Sequence, residues 1–122
     1  MTYESVTVME SEKAPGVKFE VTRMSFGRRV DLMRRVRELS RRVEFLNAGK
    51  DPGDRMDAGL LQAEIDREFV AWGLRSVTGL ELDGEPATPK SLAEAGPEEL
   101  FREALAAVRR ETGLSEDERK NC

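Results

Sequence analysis

Leu32, Val36, Leu39, Val43 and Leu46 follow one another at steps of four, three, four and three. That spacing lays five apolar side chains along one stripe of an α-helix. Phe26, Val30 and Met33 widen the stripe at its start. Ser25 stands where its hydroxyl can accept a bond from a free N–H of the first turn. Asn47 and Gly49 supply the stop. The pattern predicts a helix over residues 25–46, about 30 Å long. So long a stripe has to be covered, by the rest of the chain or by a partner.

Before this helix the period changes from helical to alternating. Val17, Phe19 and Val21 point one way, and Lys18, Glu20 and Thr22 the other, which is the pattern of a half-buried strand. A second short run, residues 5–10, precedes it, and Ala14-Pro15-Gly16 lies between. An antiparallel hairpin is the simplest reading. A lone hairpin is marginal in water, so its apolar face needs a cover, and the following helix is the nearest candidate.

After the loop Gly49–Gly53, apolar residues return at helical spacing: Ala58, Leu61, Ile65, Phe69 and Trp72. This predicts a second helix from about Asp54 to Trp72, ended by Gly73 and flanked by Met56, Leu60 and Ala63. The short turn makes the two helices an antiparallel pair. Val77 to Leu82 reads as a strand, Asp83-Gly84 as a tight turn, and Glu85–Ala87 as a brief return limited by Pro86. Thr88-Pro89 starts a short helix that Gly96-Pro97 ends. Glu98 and Glu99 open the last helix, whose apolar face is Leu100, Phe101, Ala104, Leu105 and Val108. The expected class is α+β, mostly helical, in a single domain over residues 1–122. Its parts are a β-hairpin (1–24), a helix pair (25–73), a short hairpin (74–88), C-terminal helices (89–113) and a flexible tail (114–122).

Charge sharpens the helix pair. Residues 26–46 carry seven arginines against three acids, and residues 51–72 carry six acids against two arginines. Opposite rims on neighbouring helices favour pairing, though each exposed pair contributes little. Over the whole chain the net charge is −4, which argues against a general nucleic-acid binder. The arginines are not interleaved with aromatic rings as a stacking platform would require. The simpler reading is a solvated face paired with the acidic helix.

Little catalytic chemistry can be drawn. The chain has no histidine, which removes the commonest general base and metal ligand. Glu64 and Glu68 share a helix face, but Arg67 sits among them, and no cation-binding loop accompanies them. The one cysteine, Cys122, cannot form an internal disulfide. No nucleophile, base and orienting group form a set, so no enzyme activity, cofactor or metal is expected. With no apolar run long enough to span a membrane and no apolar leader, a soluble, cytoplasmic protein is expected.

Several stretches resemble the tail assembly chaperones of long-tailed (siphovirus- and myovirus-like) bacteriophages and prophages. They are Trp72-Gly73-Leu74, the run Val77–Thr88, Leu92, Gly96-Pro97-Glu98-Glu99-Leu100 and the ending Gly113–Asn121. Pro15–Phe19 and Met24–Arg29 look like the opening of the same small phage proteins. The resemblance implies a small helical protein that binds the long tape measure protein during tail assembly and is absent from the finished particle. It also implies the tail tube protein as a further candidate partner, and often a longer product made by ribosomal frameshifting. A homo-oligomer is open on this reading. The alternatives are a virion structural or connector protein, and a nucleic-acid regulator using the arginine-rich helix. The expected partner-binding residues are the apolar ones of the stripes: Leu32, Val36, Leu39, Val43, Phe69, Trp72, Phe101, Leu105 and Val108.

Overall fold

The alternating run becomes β2 (Lys18–Thr22), with Phe19 and Val21 buried. It pairs antiparallel with β1 (Val6–Glu10), Met9 opposite Phe19 and Thr7 opposite Val21. The fold is α+β, as the periodicities predict, and helices dominate. The computed structural model describes residues 1–113; the expected flexible tail, with Cys122, lies outside them. The chain divides into two compact units, one of residues 1–24 and 69–113, the other of residues 25–68 among those described.

In the first unit the sheet has a third strand. β3 (Leu74–Thr78) begins directly after Gly73 and pairs antiparallel with the open edge of β2, giving the order β1-β2-β3. Its register slips opposite Glu20 and Val21, where Arg75 is the extra residue of a local bulge in β3. The expected single strand Val77–Leu82 is therefore two pieces. β3 ends at Thr78; Gly79, at φ +79°, turns the chain; and β4 (Glu81–Leu82) pairs only with β5 (Glu85–Pro86). Asp83 and Gly84 between them both have positive φ, 54° and 82°, as a two-residue turn matched to strand twist demands. The Ala87 N–H donates to the Leu80 carbonyl and closes this small ribbon.

Thr88 caps α3 (Pro89–Ala95) in a reciprocal box. Its hydroxyl accepts from the Ser91 N–H, while the Ser91 hydroxyl oxygen accepts from the Thr88 N–H. α4 (Glu98–Thr112) follows, with Glu98 and Glu99 in its first turn, Arg109 and Arg110 in its last, and Gly113 as a left-handed stop. These charges oppose the helix dipole at both ends. α4 packs on β2. Its Leu100, Ala104, Leu105 and Val108 are buried.

A polar clamp fixes the β1–β2 loop to α4. The Glu103 carboxylate accepts from the Ser11 hydroxyl and from the Glu12 N–H. Burial by itself would raise the pKa of Glu103. The bonds from Ser11, Glu12 and Lys13, with the Lys13 charge, outweigh it and hold the carboxyl below its ordinary value. The folded state therefore binds fewer protons than the unfolded chain in the acid range. The stability this carboxylate adds is complete above the unfolded value near 4.3 and is lost as pH falls through the lower, folded value. Glu103→Gln is expected to cost about 1 kcal/mol at pH 7. Urea titrations of the two chains should converge as pH falls through the folded value, once the Glu103 carboxyl is neutral like the amide that replaces it.

The second unit is a helical hairpin. α1 (Phe26–Asn47) starts at Ser25, whose side chain accepts from the Arg28 N–H as expected. Its end differs from expectation. Ala48, in a right-handed conformation, caps the last carbonyls, and Gly49 does not turn the chain left-handed. Gly49 serves closeness instead, because a Cβ there would lie 2.5 Å from an Asp54 carboxylate oxygen. α2 (Pro52–Gly73) begins with proline at its first position, where no N–H is needed, while the Asp51 carboxylate accepts from the Gly53 N–H. Its last turns belong to the first unit.

Candidate functional site

The apolar stripes do what their periods imply, but unevenly along their length. On α2, Ala58, Leu61, Ile65, Phe69 and Trp72 are all buried. On α1, Leu32 and Val36 are fully buried, whereas Leu39, Val43 and Leu46 are half-covered. Coverage thus declines toward the turn between the helices. Of the residues expected to hold a partner, Leu32, Val36, Phe69, Trp72, Leu105 and Val108 are covered by the chain itself. Leu39, Val43 and Phe101 keep part of their surface. The side chains left open are others: Phe45 at 80% exposure, Met56 at 71% and Leu60 at 62%.

Phe45 and Leu60 line a groove of about 500 Å³ between the second half of α1 and the first half of α2. The Leu46 and Leu61 side chains complete its apolar lining, and its charged lining comes from Glu38, Arg41 and Arg42 of α1 and from Asp57 and Glu64 of α2. The helices lie antiparallel in a steady register. Arg35 meets Glu68 at 3.7 Å, and Gly49 lies against Asp54. Arg41 and Arg42 are therefore level with the stretch between Asp57 and Glu64.

Electrostatics on α1 are graded in the same way. Near its start Arg35 joins Asp31 at 3.2 Å as well as Glu68. Arg28 has its pKa lowered by burial; the charge of Asp31 acts against this and that of Arg35 with it. In the groove, none of Arg41, Arg42, Asp57 and Glu64 lies within ion-pair distance of an opposite charge among the described residues. The two carboxylates that follow Glu64 in sequence are already used: Asp66 accepts from the Gln62 amide, and Glu68 meets Arg35. Among the described residues no three His, Cys, Asp or Glu side chains gather as metal ligands.

The arrangement offers apolar contact with charged edges, which suits an amphipathic helix lying along the groove. Periodicity alone placed Met56 and Leu60 beside the α2 stripe but carried no sign that this flank stays open. Among the described residues no helix is long and apolar enough to cross a membrane. Comparison with known proteins returns nothing that corresponds to this chain, whether a family pattern, a curated protein or a solved structure.

Proposed function

We propose that this protein is a non-enzymatic assembly chaperone of a bacteriophage tail, acting in the bacterial cytoplasm on the tape measure protein. The observation that supports the reading is the groove. Once the chain has covered its own core, it still leaves Phe45 and Leu60 in the open on the groove, with Met56 exposed one helical turn before Leu60 on α2. Large apolar side chains so exposed and so close mark an interaction surface. A long helical protein rich in apolar surface aggregates by itself. A protector for it needs an adaptable apolar seat and a charged exterior. Met56 is the adaptable contact, and 36% of the chain is charged.

The test is co-expression with a tape measure protein, read as the soluble fraction and as a complex on gel filtration. The expected result is a soluble complex that Leu60→Glu abolishes. Equal solubility with and without this chain overturns the reading.

A further inference from the structure

We infer that the groove is closed by a second copy of the same chain, in a dimer whose twofold axis runs parallel to α1 and α2. The argument starts from sign. α1 brings Arg41 and Arg42 to one side of the groove, and α2 brings Asp57 and Glu64 to the other. The α1 side is mainly basic, with Glu38 as the one acid at its far end, and the α2 side is acidic, so the surface is largely complementary to itself under a suitable rotation. A twofold parallel to the helices sets α1 of one copy against α2 of the other and keeps every residue at its own height. At that height Arg41 and Arg42 are level with the stretch between Asp57 and Glu64, so each arginine pair falls between two acids of the other copy. A twofold at right angles to the helices instead lays arginine row against arginine row, which like charge disfavours.

The apolar part agrees with the same axis. Phe45 and Leu60 stand at nearly the same height in the hairpin, so the rotation brings Phe45 of each copy toward Leu60 of the other. Both are large and open, at 80% and 62% exposure, and the contact covers them. The groove spans only about two and a half turns of each helix, roughly 13 Å. A contact of that size belongs to the weak class, and dissociation in the micromolar range is expected. The second copy covers the same seat as the proposed partner helix, so that helix must displace it, while the dimer itself forms or fails with the purified chain alone.

Sedimentation equilibrium over a concentration series tests it. The wild-type mass should rise from 13.7 kDa toward twice that value, and added salt should shift the rise to higher concentration. Leu60→Glu should stay monomeric with an unchanged thermal midpoint, since the side chain is outside the core. Two charge reversals test the axis. The chain carrying Arg41→Glu and Arg42→Glu, and the chain carrying Asp57→Lys and Glu64→Lys, should each self-associate at least tenfold more weakly. Mixed together, they should form a heterodimer. A wild-type chain that stays monomeric throughout the series overturns the proposal. So does a dimer that neither Leu60→Glu nor the charge reversals weaken, because its contact then lies elsewhere.

Discussion

Phe69→Ala is expected to lower the free energy of unfolding by about 4 kcal/mol. Phe69 is 1% exposed, and its ring carries the Arg109 guanidinium over one face at 5.4 Å from the centroid. Truncation removes most of a buried aromatic and leaves a cavity that a close-packed interior refills only in part. The cation loses its ring as well, a contribution of about 0.5–1 kcal/mol at a partly exposed site. Against a total stability of about 5–15 kcal/mol this is a large fraction, so a fall in midpoint of roughly 15 °C is expected for a domain of this size. Differential scanning calorimetry reads it. The contrast with Leu60→Glu carries the interpretation, because that change should leave the midpoint in place and alter association only. If Phe69→Ala kept the wild-type midpoint, the end of α2 would not be the core element described above.

Gly79→Val should be comparably costly for a different reason. Gly79 sits at φ +79°, and a Cβ on it would overlap the backbone carbonyl of Gly16. A β-branched residue is strained in that conformation by about 1–3 kcal/mol. The obstacle is main chain rather than a flexible side chain, so the Ala14–Gly16 turn must move as well. A total of about 3 kcal/mol or more is expected. Gly84 is the control. Its φ is +82°, yet nothing lies within 4 Å of a Cβ placed there, so Gly84→Val should cost only the conformational part. Chemical denaturation of the two variants side by side separates strain from collision. Equal losses would mean that the contact between Gly79 and Gly16 is not a real constraint.

Much of this architecture could be read from residue spacing, where a single face decides an element. The α2 stripe of Ala58, Leu61, Ile65, Phe69 and Trp72 is buried throughout, and Val17, Phe19 and Val21 share the covered side of β2. Capping was also legible, because Ser25 and Thr88 act through neighbours three residues away. What depended on distant partners was not. β3 reads Leu-Arg-Ser-Val-Thr, too polar and too short to declare itself, and its pairing with β2 has no local signal. Gly79 was the available clue that a strand over 77–82 should break, since an isolated glycine in a strand pattern marks a kink. Helical period likewise finds an apolar direction without saying how wide the cover is. Phe26 was expected to widen the stripe of α1, yet it is 86% exposed. The groove exists for the same reason, as the cover thins toward the turn.

The sheet of the first unit has a consequence for synthesis. β2 is the central strand, and it pairs with β1 beside it in sequence and with β3 far along the chain, Lys18 opposite Thr78. On the ribosome, at about 5–20 residues per second, the β1–β2 hairpin waits seconds for its third strand. Meanwhile Phe19 and Val21 line an open edge, a site for wrong pairing. The intervening segment eases the pairing once β3 has been made. α1 and α2 are of equal length, 22 residues each, and antiparallel, so a formed helix pair returns the chain close to where it left. Closing a loop around a preformed hairpin costs less entropy than closing it around a coil. A helix pair that forms before β3 emerges would splint the chain for that pairing.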